Sequence, residues 1–328
     1  MEIVLHDTYE IEEQEINLDD EMKNGVEKFL IDVVKVFAES EQLNLENLMK
    51  FHVPRDYQKE LYKFQEDNNL LVGHTKNELA EGYAMVLHYM NELEVREHAV
   101  FVHPILILGI YSNLINGDIQ KEENQFFYNI LLHELCHVSD DFYLHKIIDF
   151  ESINNLNLLE RTLYTETISV WQEYYAYRKS ASRFPYGDFQ VSHLAEVNSW
   201  YLENVEELKG KFYKDNKMDE FFPNFIIKSR YFIRVLISVI GNIQGAPMEY
   251  KDRVNLLKLV SEKCLDEKFQ DSFFNISEIM ESLYIKYPNW QNKSEIEVFN
   301  SALLDLWNSV GVFPQYTEST EMFVGIND

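Results

Sequence analysis

Residues 131–141 read Leu131-Leu132-His133-Glu134-Leu135-Cys136-His137-Val138-Ser139-Asp140-Asp141, and the run before them, Phe126-Phe127-Tyr128-Asn129-Ile130, is strongly apolar. The pattern predicts a helix over 124–138. A globular helix keeps its charge on the wet side, yet here two imidazoles and a carboxylate sit in the greasiest part of the segment. Their reason for being there decides how the rest of the chain is read.

His133 and His137 are four residues apart, so a helix places their side chains on one face, about 5–6 Å apart at Cβ. Two imidazoles at that spacing can occupy two corners of a zinc tetrahedron. Glu134, one position along, can then take a proton from a metal-bound water. Phe127, Leu131, Leu135 and Val138 form an apolar stripe that would bury the helix, while Phe126, Ile130, His133 and His137 would look into a cleft. The bland alternative is a chance HELCH whose histidines are satisfied in a core. Cys136 reads as a small buried hydrophobe.

A catalytic zinc needs a third protein ligand and an open position. His145 lies eight residues after His137. The HExxHxxGxxH pattern needs six and a glycine, so His145 reads as a surface or outer histidine. Glu166 and Glu173 both fall on a second helix expected over 158–183. Seven residues separate them, about 10 Å at roughly 1.5 Å per residue, too far for one metal. Glu166 sits among Thr162, Thr165, Thr167 and Ser169, where a carboxylate needs no special reason. Glu173 is flanked by Trp171, Tyr174, Tyr175 and Tyr177, a setting that disfavours a carboxylate unless it is paired or bound to metal. Glu173 is the preferred ligand, with Glu166 as the alternative and pairing with Arg178 or Lys179 as the bland reading.

HELCH followed by WQEYYAYR (171–178) resembles the gluzincin-type zincins, and its Glu-x-x-Ala form is similar to the cytosolic ImmA/IrrE-like metallopeptidases. The resemblance covers roughly 80–190. It implies a small sheet over an active-site helix, zinc and its water in a cleft, and another intracellular protein as substrate. The gap from His137 to Glu173 is longer than in the thermolysin pattern, and NExxSD is absent.

Around the motif, Asp140 and Asp141 fall where the helix is expected to end and where its dipole disfavours anions. Asp141, four residues after His137, is the better placed to orient that imidazole through its other ring nitrogen; a solvated helix end is the alternative. Peptide hydrolysis also needs a donor for the developing oxyanion. Tyr177, one turn from Glu173, is the first candidate, with Tyr174 and His193 behind it.

The chain has 328 residues, 46% hydrophobic, with only 11 Gly and 7 Pro, which points to a helix-rich globular protein. Its net charge of −27 argues against nucleic-acid or membrane-surface partners, mimicry of DNA excepted. Cys136 and Cys264 cannot build a disulfide framework. The acidic N-terminus lacks signal-peptide features. Ala99–Ile115 and Tyr231–Ile240 are short or interrupted by His103, Pro104 and Arg234, so neither reads as a membrane span. A cytoplasmic protein is expected.

Helices are expected over 21–40, 54–65, 192–213, 219–241, 249–265, 273–285 and 293–310, and strands over 82–89 and 99–103. His74, Asn77 and 91–97 read as connections, residues 1–20 as poorly patterned, and 311–326 as a tail or late edge strand. The fold class is α+β, predominantly α: a zincin-like metal-site portion over 1–188, then a helical portion over 189–328. The function so expected is zinc-dependent peptide hydrolysis, with Zn²⁺ on His133, His137 and Glu173 and a protein or peptide substrate. A non-catalytic zincin scaffold or acidic mimic is the rival.

Overall fold

The computed structural model describes residues 1–11, 14–71, 82–117, 122–185, 188–316 and 322–327. His74 and Asn77, which read as connections, lie outside them. Of the described residues 68% are helical, beside a small mixed sheet, so the α+β, predominantly α expectation holds. Among the described residues, no helix is long and apolar enough to cross a membrane.

The chain divides into two compact units, Met1–Phe142 and Tyr143–Asp328. The division falls inside a helix. The segment 158–183 belongs to the second unit, where it packs on the helices that come after it.

The first unit contains β1 (Glu2–Val4), β2 (Thr8–Ile11), β3 (Gln14–Asn17), α1 (Asp20–Glu41), β4 (Leu48–His52), α2 (Tyr57–Asp67), β5 (Ala84–Met90), β6 (Arg96–Val102), α3 (Pro104–Ile115) and most of α4 (Glu122–Ile147). Its sheet runs β1-β4-β6-β5, with β5 antiparallel to β6 and the other pairs parallel. Residues 1–20 therefore hold three short strands, not an unpatterned tail. Local chemistry sets the helix starts. Asp19 accepts from the Met22 amide, Asp56 from the Lys59 amide, and Pro104 takes the first turn of α3 behind His103.

The β5–β6 hairpin sorts its side chains onto two chemically different faces. Asn91 Oδ1 accepts from the amides of Leu93 and Val95, both at 2.9 Å, and Glu94 adopts a left-handed φ of 57°. This turn fixes the register His88↔His98. Leu87, Tyr89, Ala99 and Phe101 then share one face, where they pack against Tyr57 and Leu61 of α2. His88 and His98, one step out of phase, fall on the other face.

The second unit begins in the last residues of α4 and adds α5 (Phe150–Ile153), α6 (Leu158–Arg183), α7 (Asp188–Asp215), α8 (Met218–Gly245), α9 (Tyr250–Cys264), α10 (Glu267–Lys286), α11 (Ser294–Glu297), α12 (Phe299–Asn308), β7 (Val312–Tyr316) and β8 (Met322–Ile326). Asn157 and Glu160 form a capping box that starts α6. The core is the close pairing of α6 with α8. A Cβ built on Gly245 would stand 2.1 Å from the Arg178 carbonyl oxygen, and one on Gly241 2.9 Å from the Tyr177 Cβ, so only glycine lets the helices meet there. Val312–Tyr316 and Met322–Ile326 pair as antiparallel strands, where a tail or a late edge strand is expected.

Candidate functional site

The motif lies in the middle of α4, and its surroundings are more buried than a single apolar stripe predicts. Leu131, Leu132, Leu135, Cys136 and Val138 are all buried, so apolar contacts hold the helix nearly all round. His133 is 9% and Glu134 8% exposed, while His137 is half-buried. The two imidazoles turn toward each other across one helical turn, with Nε2 to Nε2 at 3.0 Å and rings 82° apart. Nitrogens on neighbouring corners of a zinc tetrahedron, each about 2.0–2.1 Å from the ion, would be about 3.3 Å apart. The pair fits a shared cation.

Helix α4 runs on to Ile147, so Asp140 and Asp141 are not at its end; they are 0% and 4% exposed in its interior. The solvated-end reading of these residues is corrected by that extension. Asp141 receives a two-armed contact from Arg96: Nε to Oδ2 at 2.7 Å and Nη2 to Oδ1 at 2.9 Å. His88 Nδ1 lies 3.7 Å from Oδ1 of the same carboxylate and His98 Nε2 3.6 Å from Oδ2. The two imidazoles meet at Nδ1 to Nδ1, 2.8 Å. Burial lowers the His88 pKa to about 3 against the pull of Asp141, which keeps that ring neutral. His145 is exposed and stacked on Phe150, as a surface histidine.

Sequence reasoning does not single out His88, Arg96 or His98. The available signal is period-two alternation in the two strand runs, which puts His88 out of phase with Leu87 and Tyr89. Arg96 falls in what reads as a connection, and His98 just ahead of the expected strand.

In the second unit, Glu173 and Tyr177 occupy half-buried positions one turn apart on α6, and the Arg234 Nε is 3.9 Å from Glu173 Oε1. Arg178, one of the partners considered for Glu173, pairs with Glu281. Glu166 is 2% exposed and gripped by Arg230, whose Nε reaches Oε2 at 2.9 Å and whose Nη2 reaches Oε1. That hydrogen-bonded carboxylate raises the Arg230 pKa. The Tyr174 hydroxyl is buried, donates to Gln244 and accepts from Arg178, and burial lifts its pKa far above the usual phenol value. It is committed to the core. His193 Nε2 lies 3.0 Å from the Tyr231 hydroxyl.

No family model, no curated protein and no solved structure matches the chain.

Proposed function

We propose that the protein is a zinc-dependent peptide hydrolase in which His133, His137 and Glu173 are the protein ligands. The observation that carries the reading is a buried ionisable carboxylate, Glu134, one residue from two imidazoles whose Nε2 atoms face each other at 3.0 Å. A purely structural metal pair has no use for that carboxylate. Zinc bound there would supply Lewis-acid polarisation of a scissile carbonyl and a more acidic water.

The remaining roles belong to the chain. Glu134 accepts a proton from the attacking water and returns it to the leaving amine. Tyr177, one turn along from Glu173, is the proposed donor to the developing oxyanion. Glu166, held by Arg230, is a weaker choice of ligand than Glu173. The substrate class is protein or peptide, and the setting proposed is the cytoplasm.

Metal analysis with a peptide-library assay tests the reading. His133→Ala should lose the metal and the activity together. Glu134→Gln should keep the metal and lose hydrolysis by about 10²-fold or more. The net charge of −27 favours a second reading, an acidic binding protein on the same scaffold. Biological activity unaltered in Glu134→Gln would establish that second reading and remove the first.

A further inference from the structure

We infer that His88, His98 and Asp141 form a second site for a divalent cation of the zinc class, built wholly from the first unit and independent of the hydrolase reading. One donor atom from each of the three residues lies within 4.8 Å of the others. The hairpin register makes His88 and His98 direct cross-strand neighbours, and α4 brings Asp141 to the same face.

The spacings to Asp141 leave room for a shared ion, while the two Nδ1 atoms lie within hydrogen-bond reach of each other. A hydrogen bond to a carboxylate from a ring nitrogen is about 2.7–3.2 Å. His88 and His98 stand at 3.7 and 3.6 Å from Asp141, too long for that bond. The two Nδ1 atoms, at 2.8 Å, can share only one proton. Donors around a tetrahedral zinc are about 3.3 Å apart. The 2.8 and 3.7 Å separations around His88 Nδ1 bracket that value, so small side-chain shifts satisfy it.

Arg96 fits as the outer partner of such a site. The guanidinium holds both oxygens of Asp141 and so sets the orientation of a carboxylate that offers about four lone-pair positions. Ligating carboxylates are themselves hydrogen-bonded, which fixes their orientation. His98 is 1% exposed, whereas the His88 side chain keeps 25%, so the site has a buried wall and a solvent side for a fourth ligand. Two imidazoles and one carboxylate select zinc, cobalt or a similar ion over magnesium or calcium.

The full-length protein, stripped with chelator, should be titrated with Co²⁺ by visible spectroscopy and with Zn²⁺ by metal analysis after dialysis. Two equivalents are expected in the wild type. His88→Gln and His98→Gln should each lose one, His133→Gln the other, and Arg96→Gln should weaken the second equivalent by about 10–100-fold. Circular dichroism reports whether each variant folds. His88→Gln, at a partly exposed ring, decides the question if His98→Gln does not fold. A wild type binding one equivalent that His133→Gln removes and His88→Gln retains overturns this inference and leaves the hydrolase site standing. One equivalent removed by His88→Gln and retained in His133→Gln does the reverse. No bound cation in the wild type overturns both.

Discussion

Arg96 holds Asp141 with both arms of its guanidinium, at 2.7 and 2.9 Å, and so ties the first residue of β6 to the interior of α4. The carboxylate is 4% exposed, so removing its partner leaves a buried charge. Because the Arg96 side chain is itself 35% exposed, solvent softens the loss. Arg96→Met should cost about 2 kcal/mol in urea unfolding. Arg96→Lys should recover little of it, since one ammonium cannot reproduce the fork. Full recovery by lysine would mean that only charge matters there.

The two carboxylates of α6 should separate cleanly. Glu166→Gln breaks the grip of Arg230 on a buried group and should lower stability by about 1–2 kcal/mol, the exposure of Arg230 discounted, while leaving metal content unchanged. Glu173→Gln should reduce metal content and alter stability by less than about 1 kcal/mol. Thermal melts beside metal analysis check both. Metal lost from the Glu166 variant alone would move the ligand there.

Gly245 should reject even a methyl group. Gly245→Ala puts a carbon 2.1 Å from the Arg178 carbonyl oxygen, backbone that cannot swing aside, and should cost about 3 kcal/mol through separation of α6 and α8. Gly210, inside α7 with open space around it, is the control. Gly210→Ala should stabilise by about 0.5–1 kcal/mol. Equal effects at the two positions would refute the close approach.

His52 gives the stability a pH dependence unconnected with the motif. Its ring stacks on Phe101 at 4.3 Å, and burial, helped by Lys50 and His6, lowers its pKa to about 4 from 6.5. Below 6.5 the unfolded chain takes up a proton that the folded chain resists, so stability is whole above that pH and falls as pH drops toward 4. The loss should be about 2 kcal/mol by pH 4.5. His52→Phe should remove this component from unfolding curves measured between pH 7 and 4.5, and an unchanged slope would exclude His52 as its source.

How far each feature is legible in the residues depends on the range over which its signals act. The limits of α6, Leu158–Arg183, coincide with the expected 158–183 because its signals are local: Asn157 and Glu160 at the start, cations in the last turns, Pro185 just beyond. The strands at the N-terminus are not legible. β1 has three residues, and its partner β4 lies some 48 positions away, so neither alternation nor a turn announces the pairing. Helix α3 stands out only as an apolar stretch, since nearly every side of it is buried and no period emerges. The same limit applies to the sites. His133, Glu134 and His137 are a spacing on one helix, visible in five letters. His88, Arg96, His98 and Asp141 come together only through a hairpin register and a contact 45 residues long. The expected end of α4 falls too early because two aspartates look like a terminus, whereas Asp141 is neutralised by an arginine of the sheet.

His133, His137 and Asp141 recur every four residues along α4, nearly one turn each, and face two different sets of partners. This rhythm makes the helix forgiving of exchange and intolerant of slippage. An added or deleted residue between 133 and 141 rotates the remainder of the helix by about 100° and would uncouple the two imidazoles from the carboxylate below them. Length changes in homologous chains should therefore gather before Glu122 or after Ile147, with the eight-residue interval from His133 to Asp141 kept constant.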